Sequence, residues 1–377
     1  MNDEARSSGS LDPARDKGPS WRDRGSSYGY QRPAGDRWTR PRTYAALDLG
    51  TNNCRLLVAR PAGDAFRVID AFSRIIRLGE GISASGSISE AAIVRAVEAL
   101  AVCRDKMANR GVTRARLITT EACRAARNGA EFLRRIADDV GLELEVIGRA
   151  EEAELAATGC TPLIDQGVEG VILFDIGGGS SELVRLGRAM PARRGPPLPD
   201  IQAWVSIPVG VVTLAERHGG HRVTRETYEA MIAEVAVHVA GFVAEHGCPP
   251  LDRVHMLGTS GTVTTIAGVH LDLKRYDRRR VDGCWMTDVE VTGVIERLLS
   301  SSYEDRVANG CIGSDRADLV LAGCAILDAM RRALPCRRLR VADRGLREGM
   351  LVKMMREDGV WGRAGQVREF ASHPRDA

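Results

Sequence analysis

The chain has 377 residues, long enough for two domains, and 44% of them are apolar, enough for a sizeable core. Only 5% are aromatic, which disfavours nucleic-acid binding by base stacking. Residues 1–42 carry nine Lys/Arg and six Asp/Glu, the whole formal charge of +3; the remaining 44 basic and 44 acidic residues cancel, so any polyanion site in the body is a local patch.

The nine cysteines include no C-x-x-C pair, which argues against zinc and thioredoxin-like sites. Their apolar contexts predict free thiols in a reducing compartment. His218 and His221 sit in a loop-like HGGH, more a turn than a metal site. There is no run of 18 apolar residues and no signal-like apolar segment, so the expectation is a soluble cytoplasmic protein without a membrane partner.

Residues 1–42 hold five Gly, six Ser and four Pro with almost no aliphatic side chains, and are expected to be disordered. Their arginines and aromatics are the one route to an RNA partner; a solubilising leader is the plainer reading. Order is expected from Tyr44, where YAALDLGTNNCRLLVAR reads as strand, turn and strand. A third strand falls near Phe66–Ala71. A Gly/Ser loop follows, and Ser87 with Glu90 fits a capping box before a helix that Gly111 ends.

A short strand at Leu117–Thr120 leads to TEACRAARNG, where Arg124 could face a cleft or simply be a solvated helix arginine. A strand over Leu142–Ile147 precedes GRAEEAELAATG. Glu151, Glu152 and Glu154 open that helix and suit its positive end, and one of them is a candidate base.

LFDIGGGSSELV, Leu173–Val184, repeats the first hairpin 127 residues later: apolar, Asp, apolar, Gly, small residues, then a second strand. Glycines let backbone N–H groups approach an anion, and flanking carboxylates can hold a hard cation beside it. Two such hairpins imply two like domains across a cleft. After a Pro/Arg-rich loop at 188–200 the pattern gives a strand at Trp204–Ile207. Helices follow from Gly210 towards Arg217, and from Thr224 or Arg225 to His246, then a strand at Val254–Leu257.

GTSGTVTTIAG, Gly258–Gly268, is a strand–turn–helix arrangement whose amides could bind phosphate. KRYDRRR, 274–280, is either an extension of a polyanion path or a solvated basic face. Thr287 and Glu290 cap a helix to Leu299, a further helix is predicted over Asp315–Leu334, and the last strand over Leu339–Ala342. Arg344 and Arg347 open the terminal helix, where the dipole disfavours cations; that misplacement points to an anion nearby.

Taken in order, DLGTNN (48–53), DIGGGSSE (175–182), GTSGT (258–262) and GLREG (345–349) resemble the exopolyphosphatase/guanosine pentaphosphate phosphatase family over residues 43–358. The resemblance implies an α/β protein with two ribonuclease-H-like domains, of the actin-like ATPase fold, facing across a cleft. It implies domains at 43–160 and 161–343, a helix near 344–358 packing back on the first, and a flexible tail at 359–377. It makes Glu152 and Arg124 catalytic and gives Asp175, Glu182 and Asp48 to Mg²⁺ or Mn²⁺. The phosphate contacts it implies are Gly50, Thr51, Asn52, Asn53 and Cys54; Gly177, Gly178, Gly179, Ser180 and Ser181; and Gly258, Thr259, Ser260, Gly261 and Thr262.

Two departures stand out. Cys54 replaces a serine, removing a hydroxyl, and Gly148-Arg149-Ala150 brings a cation near Glu152. The short chain is expected to lack the helical domain of long members, which puts processive degradation in doubt. The implied activity is Mg²⁺-dependent release of terminal phosphate from inorganic polyphosphate, with guanosine pentaphosphate as a second substrate, by a homodimer. A phosphotransferase of the same fold and a binding-only regulator are the alternatives.

Overall fold

The computed structural model describes residues 42–249 and 252–361. Most of the tail expected at 1–42, and 362–377 of the tail expected at 359–377, lie outside the described residues.

The first half runs β1 (Tyr44–Leu49), β2 (Asn53–Ala62), β3 (Ala65–Ile75), α1 (Ile82–Ser85), α2 (Glu90–Asn109), β4 (Arg114–Thr119), α3 (Glu121–Ala125), α4 (Gly129–Val140), β5 (Glu145–Val146) and α5 (Arg149–Cys160). The sheet order is β3-β2-β1-β4-β5, with β1 antiparallel to β2 and parallel to β4. A strand central to such a sheet is covered on both faces, which is why YAALDL is apolar almost throughout. One face packs under α2, α3 and α4, and the other under α5 and the last helix.

The second half runs β6 (Gly170–Ile176), β7 (Ser181–Leu186), β8 (Ile201–Ile207), α6 (Val211–His218), α7 (Arg225–His246), β9 (Val254–Thr259), α8 (Gly261–His270), α9 (Arg278–Val281), β10 (Trp285–Thr287), α10 (Asp288–Ser300), α11 (Tyr303–Ala308), α12 (Val320–Ala333), β11 (Arg338–Ala342) and α13 (Leu346–Glu357). Its order, β10-β11-β9-β6-β7-β8, repeats the ladder of the first sheet with β10 added antiparallel at the edge. The hairpin repeat seen in the sequence is therefore a repeat of whole sheets.

Local chemistry sets most boundaries. Ser89, not Ser87, caps α2, accepting from Ala92 N at 3.3 Å, and Gly111 ends it at φ +61°. Thr287 and Glu290 do form the expected reciprocal cap on α10. β3 runs longer than its sequence signal, because its apolar and polar residues alternate along an exposed edge strand. The helix expected from Asp315 starts at Val320, and 315–319 are turns. β5 keeps only two residues. α7 is long and apolar enough by composition to cross a membrane, yet Tyr228, Met231, Ile232, Val235, Val239 and Phe242 on it are buried in the second core.

α5 and α13 tie the halves together. Leu155 of α5 joins the core with β1, β2 and α13, whereas Ala153, Ala157 and Cys160 join the core with β6, β7 and β9. The two helices cross at glycines: a Cβ on Gly349 would sit 3.0 Å from Leu155 Cα. Neither glycine of the crossing, Gly159 or Gly349, has room for a methyl group.

Candidate active site

The β1–β2 and β6–β7 turns are built alike. Gly50 N donates to Asn53 O and Gly177 N to Ser180 O, each at 2.9 Å. In both turns the carbonyls are taken by neighbouring backbone. Thr51 O accepts from Gly79 N, and Asn52 O from Ile76 N and Arg77 N. Gly177 O and Gly178 O accept from Val211 N and Val212 N at the start of α6, each at 2.9 Å. Among the described residues the amides of Thr51, Asn52, Gly178 and Gly179 have no intramolecular acceptor, so four donors line one cleft of ≈ 780 Å³. The turns also touch. A Cβ on Gly178 would lie 2.9 Å from Thr51 Cβ, so only glycine lets them meet.

The third loop adds Ser260 and the first amides of α8. Ser260 holds φ +95°, a conformation that costs a non-glycine residue about 1–3 kcal/mol. Its hydroxyl is buried without a partner, as are the amide oxygens of Asn52 and Asn53. Buried polar atoms left unpaired at three points of one cleft imply a ligand with polar groups to meet them.

Seven acidic residues line this cleft, and burial raises four of them: Asp48, Glu152, Asp175 and Glu182. Burial raises the Asp48 carboxyl, with Arg55 and Arg347 opposing. It lifts Asp175 to about 6 against the pull of Arg55. Glu182 rises through burial and the adjacent Asp175, although Ser180 and Ser206 hydroxyls donate to its Oε1 at 3.0 and 2.9 Å. Glu152, 14% exposed, rises through burial and the charge of Glu182, while Arg124 donates to its Oε2 at 3.1 Å. Proton affinity raised by burial is what a general base needs.

Five arginines line the cleft as well, and two are already paired, Arg278 with Glu348 and Arg344 with Asp282. Arg55, Arg316 and Arg347 line the cleft, and none makes a hydrogen bond or ion pair from its side chain among the described residues. Arg55 and Arg316 approach from opposite halves: a Cβ on Gly261 would be 4.0 Å from the one guanidinium and 3.9 Å from the other. Arg347 is buried deeply enough that desolvation lowers its pKa.

Most of the expected residues meet here, but four do not. Cys54 is fully buried in the first core with its sulfur 3.9 Å from that of Cys103, so the missing serine hydroxyl would not have faced phosphate. Ser181 donates to Val209 O at 2.7 Å on the far side of its strand. Gly258 lies inside the second core, where a Cβ would strike the Phe174 ring. Arg124 is outside the cleft lining: it bonds Ile147 O, Glu121 and Glu152, and so holds Glu152 rather than facing the cleft. Thr259 spends its hydroxyl on Arg344 O at 2.7 Å. Arg149 pairs with Glu121 at 3.2 Å, not with Glu152.

Of the residues the motifs did not single out, Arg55 was within reach, being two positions beyond Asn53 on the same strand face. Arg316 was hidden by the helix expected over its turn. All nine cysteines are free thiols, as expected.

Among the described residues no three His, Cys, Asp or Glu side chains converge closely enough to hold a metal alone. Yet Asp175 pairs across the strands with Glu182, and burial raises both carboxyls although Arg55 and Arg124 oppose it. That donor set fits a hard cation that takes one or two carboxylates and completes its shell from phosphate oxygens and water.

The model of the Ppx/GppA phosphatase family matches residues 57–358, and the chain belongs to that family. It is 28% identical over 311 residues to Exopolyphosphatase 2 of Mycobacterium tuberculosis, covering 77% of this chain and 90% of that protein. It is 26% identical over 324 residues to the guanosine-5'-triphosphate,3'-diphosphate pyrophosphatase of Photobacterium profundum, covering 83% of this chain but only 59% of that longer one. The solved structure of an Aquifex aeolicus family member superposes with a TM-score of 0.69 at 25% identity, over 85% of this chain and 99% of that one. The fold is the two-part actin-like α/β arrangement expected from the motifs.

Proposed function

We propose that this Ppx/GppA phosphatase is an exopolyphosphatase that releases orthophosphate from the end of inorganic polyphosphate with Mg²⁺ or Mn²⁺. The observation that carries the reading is the facing pair of turns, whose four uncommitted amides line the same cleft as Glu152. Hydrolysis of a phosphoanhydride asks for positioning and charge neutralisation more than for covalent chemistry. Amides of Thr51, Asn52, Gly178 and Gly179 hold the terminal phosphoryl oxygens. Arg55, Arg316 and Arg347 neutralise the chain beyond it.

Glu152 takes a proton from water as the new O–P bond forms and the bridging P–O bond breaks; the shortened chain leaves as the anion. Arg124 fixes the Glu152 carboxylate towards that water. The Asp175 and Glu182 carboxylates, with Asp48 opposite, would hold the metal, which as a Lewis acid offsets charge on the phosphoryl oxygens. Guanosine pentaphosphate is a second substrate: its 5' end presents the same anhydride, and the Photobacterium relative is named for that reaction.

The test is phosphate release from short and long polyphosphate and from guanosine pentaphosphate, with and without Mg²⁺. Release that needs the metal and falls about 10²–10⁴-fold in Glu152→Gln is expected. Binding of all three without any release would instead leave a polyphosphate- or guanosine-nucleotide-binding regulator.

A further inference from the structure

The segment after β3 makes an unusual contact. Ile76 N and Arg77 N donate to Asn52 O at 2.9 and 3.1 Å, and Gly79 N donates to Thr51 O at 2.8 Å, so this segment fixes the first phosphate turn. From here Arg77 reaches into the other half. Its Nη1 and Nη2 donate to the two oxygens of Asp318, both at 2.9 Å, and Nη2 also donates to Asp315 O at 3.2 Å. This is the bidentate fork that gives arginine–carboxylate pairs their directionality. Asp315 and Asp318 bracket Arg316, one of the unpaired cleft arginines.

Arg77 holds φ +46°, a left-handed backbone that side chains other than glycine, Asn and Asp avoid, at the point where two successive amides meet Asn52 O. The strained residue is braced from behind, where Arg95 Nε donates to Ile76 O at 2.8 Å and its Nη2 to Arg77 O at 3.3 Å. A second bridge runs parallel: Gly81 N donates to Glu216 Oε1 of α6 at 2.8 Å, and α6 begins on the carbonyls of the second phosphate turn. The chain of contacts therefore runs from one turn through 76–79 and Arg77 to Arg316, and through Gly81 and α6 to the other turn.

We propose that Arg77 and Asp318 are positioning residues, which touch no substrate but set the spacing of the two phosphate turns and of Arg316 across the cleft. This rests on the functional reading above. The fork joins a segment that holds the first turn to the loop that carries Arg316, and its two-point geometry fixes their separation at one value.

The test compares wild type with Arg77→Ala, Asp318→Asn and the exchange Arg77→Asp with Asp318→Arg; aspartate tolerates the left-handed backbone. Phosphate release from short polyphosphate should show KM raised roughly tenfold or more in each single variant, with kcat within about threefold. The exchange should recover most of the loss. An unchanged KM, or a loss that the exchange leaves in place at an unchanged melting temperature, overturns the proposal. Small-angle scattering without substrate separates the two claims. Arg77→Ala should have a larger radius of gyration than wild type and the exchange should not; equal radii throughout overturn the spacer role. If wild type releases no phosphate from any substrate, the activity is wrong and scattering alone decides for the pair.

Discussion

The two turns share one backbone and differ in the residue that faces the leading aspartate across the strands. In the first, Asp48 pairs with Arg55; in the second, Asp175 pairs with Glu182. Burial raises the Asp48 carboxyl too, but Arg55 and Arg347 both oppose it. Asp175 has the pull of Arg55 against burial, and Glu182 carries the added charge of Asp175, so both carboxyls are held above their usual range. Both turns thus offer amides to an anion, and only the second also sets two carboxylates side by side where a cation would fit. The repeat supplies the geometry, and the residue across the strand sets the local charge.

That assignment breaks most visibly in the metal dependence. Asp175→Asn and Glu182→Gln should each raise the Mg²⁺ needed for half-maximal phosphate release by about ten- to a hundredfold, and Asp48→Asn by far less. Equal effects from all three would erase the distinction between the turns. Chelation of the metal should abolish release in wild type, and readdition should restore it.

A steric test comes next. Gly178→Ala puts a methyl group 2.9 Å from Thr51 Cβ, while Gly50→Ala meets nothing nearer than 3.6 Å. The first should lower kcat/KM by roughly tenfold or more and the second by less than about threefold, because turns forced apart cannot share a phosphoryl group. Similar losses at the two glycines would mean that the turns do not act together.

A smaller effect is read in the absence of ligand. Asp175 has its folded pKa raised to about 6, so its favourable contribution is complete below the unfolded carboxylate range and is lost as pH rises through 6. Removing the charge should therefore stabilise the metal-free protein at pH 8 by ~1–3 kcal/mol and do little at pH 4. Denaturant unfolding of Asp175→Asn against wild type at the two pH values checks the sign. Asp48→Asn should gain less, since two guanidinium groups already offset its charge.

The least effect on turnover belongs to Cys54→Ser. Its sulfur lies in the core, so a hydroxyl there should cost about 1–3 kcal/mol of stability and leave kcat within twofold. A gain in activity would show that residue 54 does reach the phosphate.

What was legible in the sequence was what is local. Each turn, its leading aspartate and Glu152 on the first turn of α5 lie within a dozen residues of a readable signal. The errors at Cys54 and Ser181 are one error made twice. Both are the first residue paired after the turn, Leu49 with Cys54 and Ile176 with Ser181, and strand alternation sends that side chain to the core after Asn53 and Ser180 have faced the cleft. Arg124 could not be placed from sequence because its partners, Ile147 O and Glu152, are 23 and 28 residues away. Arg316 sits in a turn that is bonded from Arg306 and from Arg77 on the opposite half, the latter far away in sequence.

Glu152 belongs to neither sheet. It rides on α5, which is embedded in one core through Leu155 and in the other through Ala153 and Ala157, and which crosses α13 where Gly159 and Gly349 leave backbone against backbone. A helix in that place has the geometry of an axle. If the halves swing about it, groups out on the sheets would travel farthest and groups near it least. The amide donors would be withdrawn from a product phosphate while the glutamate and its Arg124 brace stay assembled for the next water molecule.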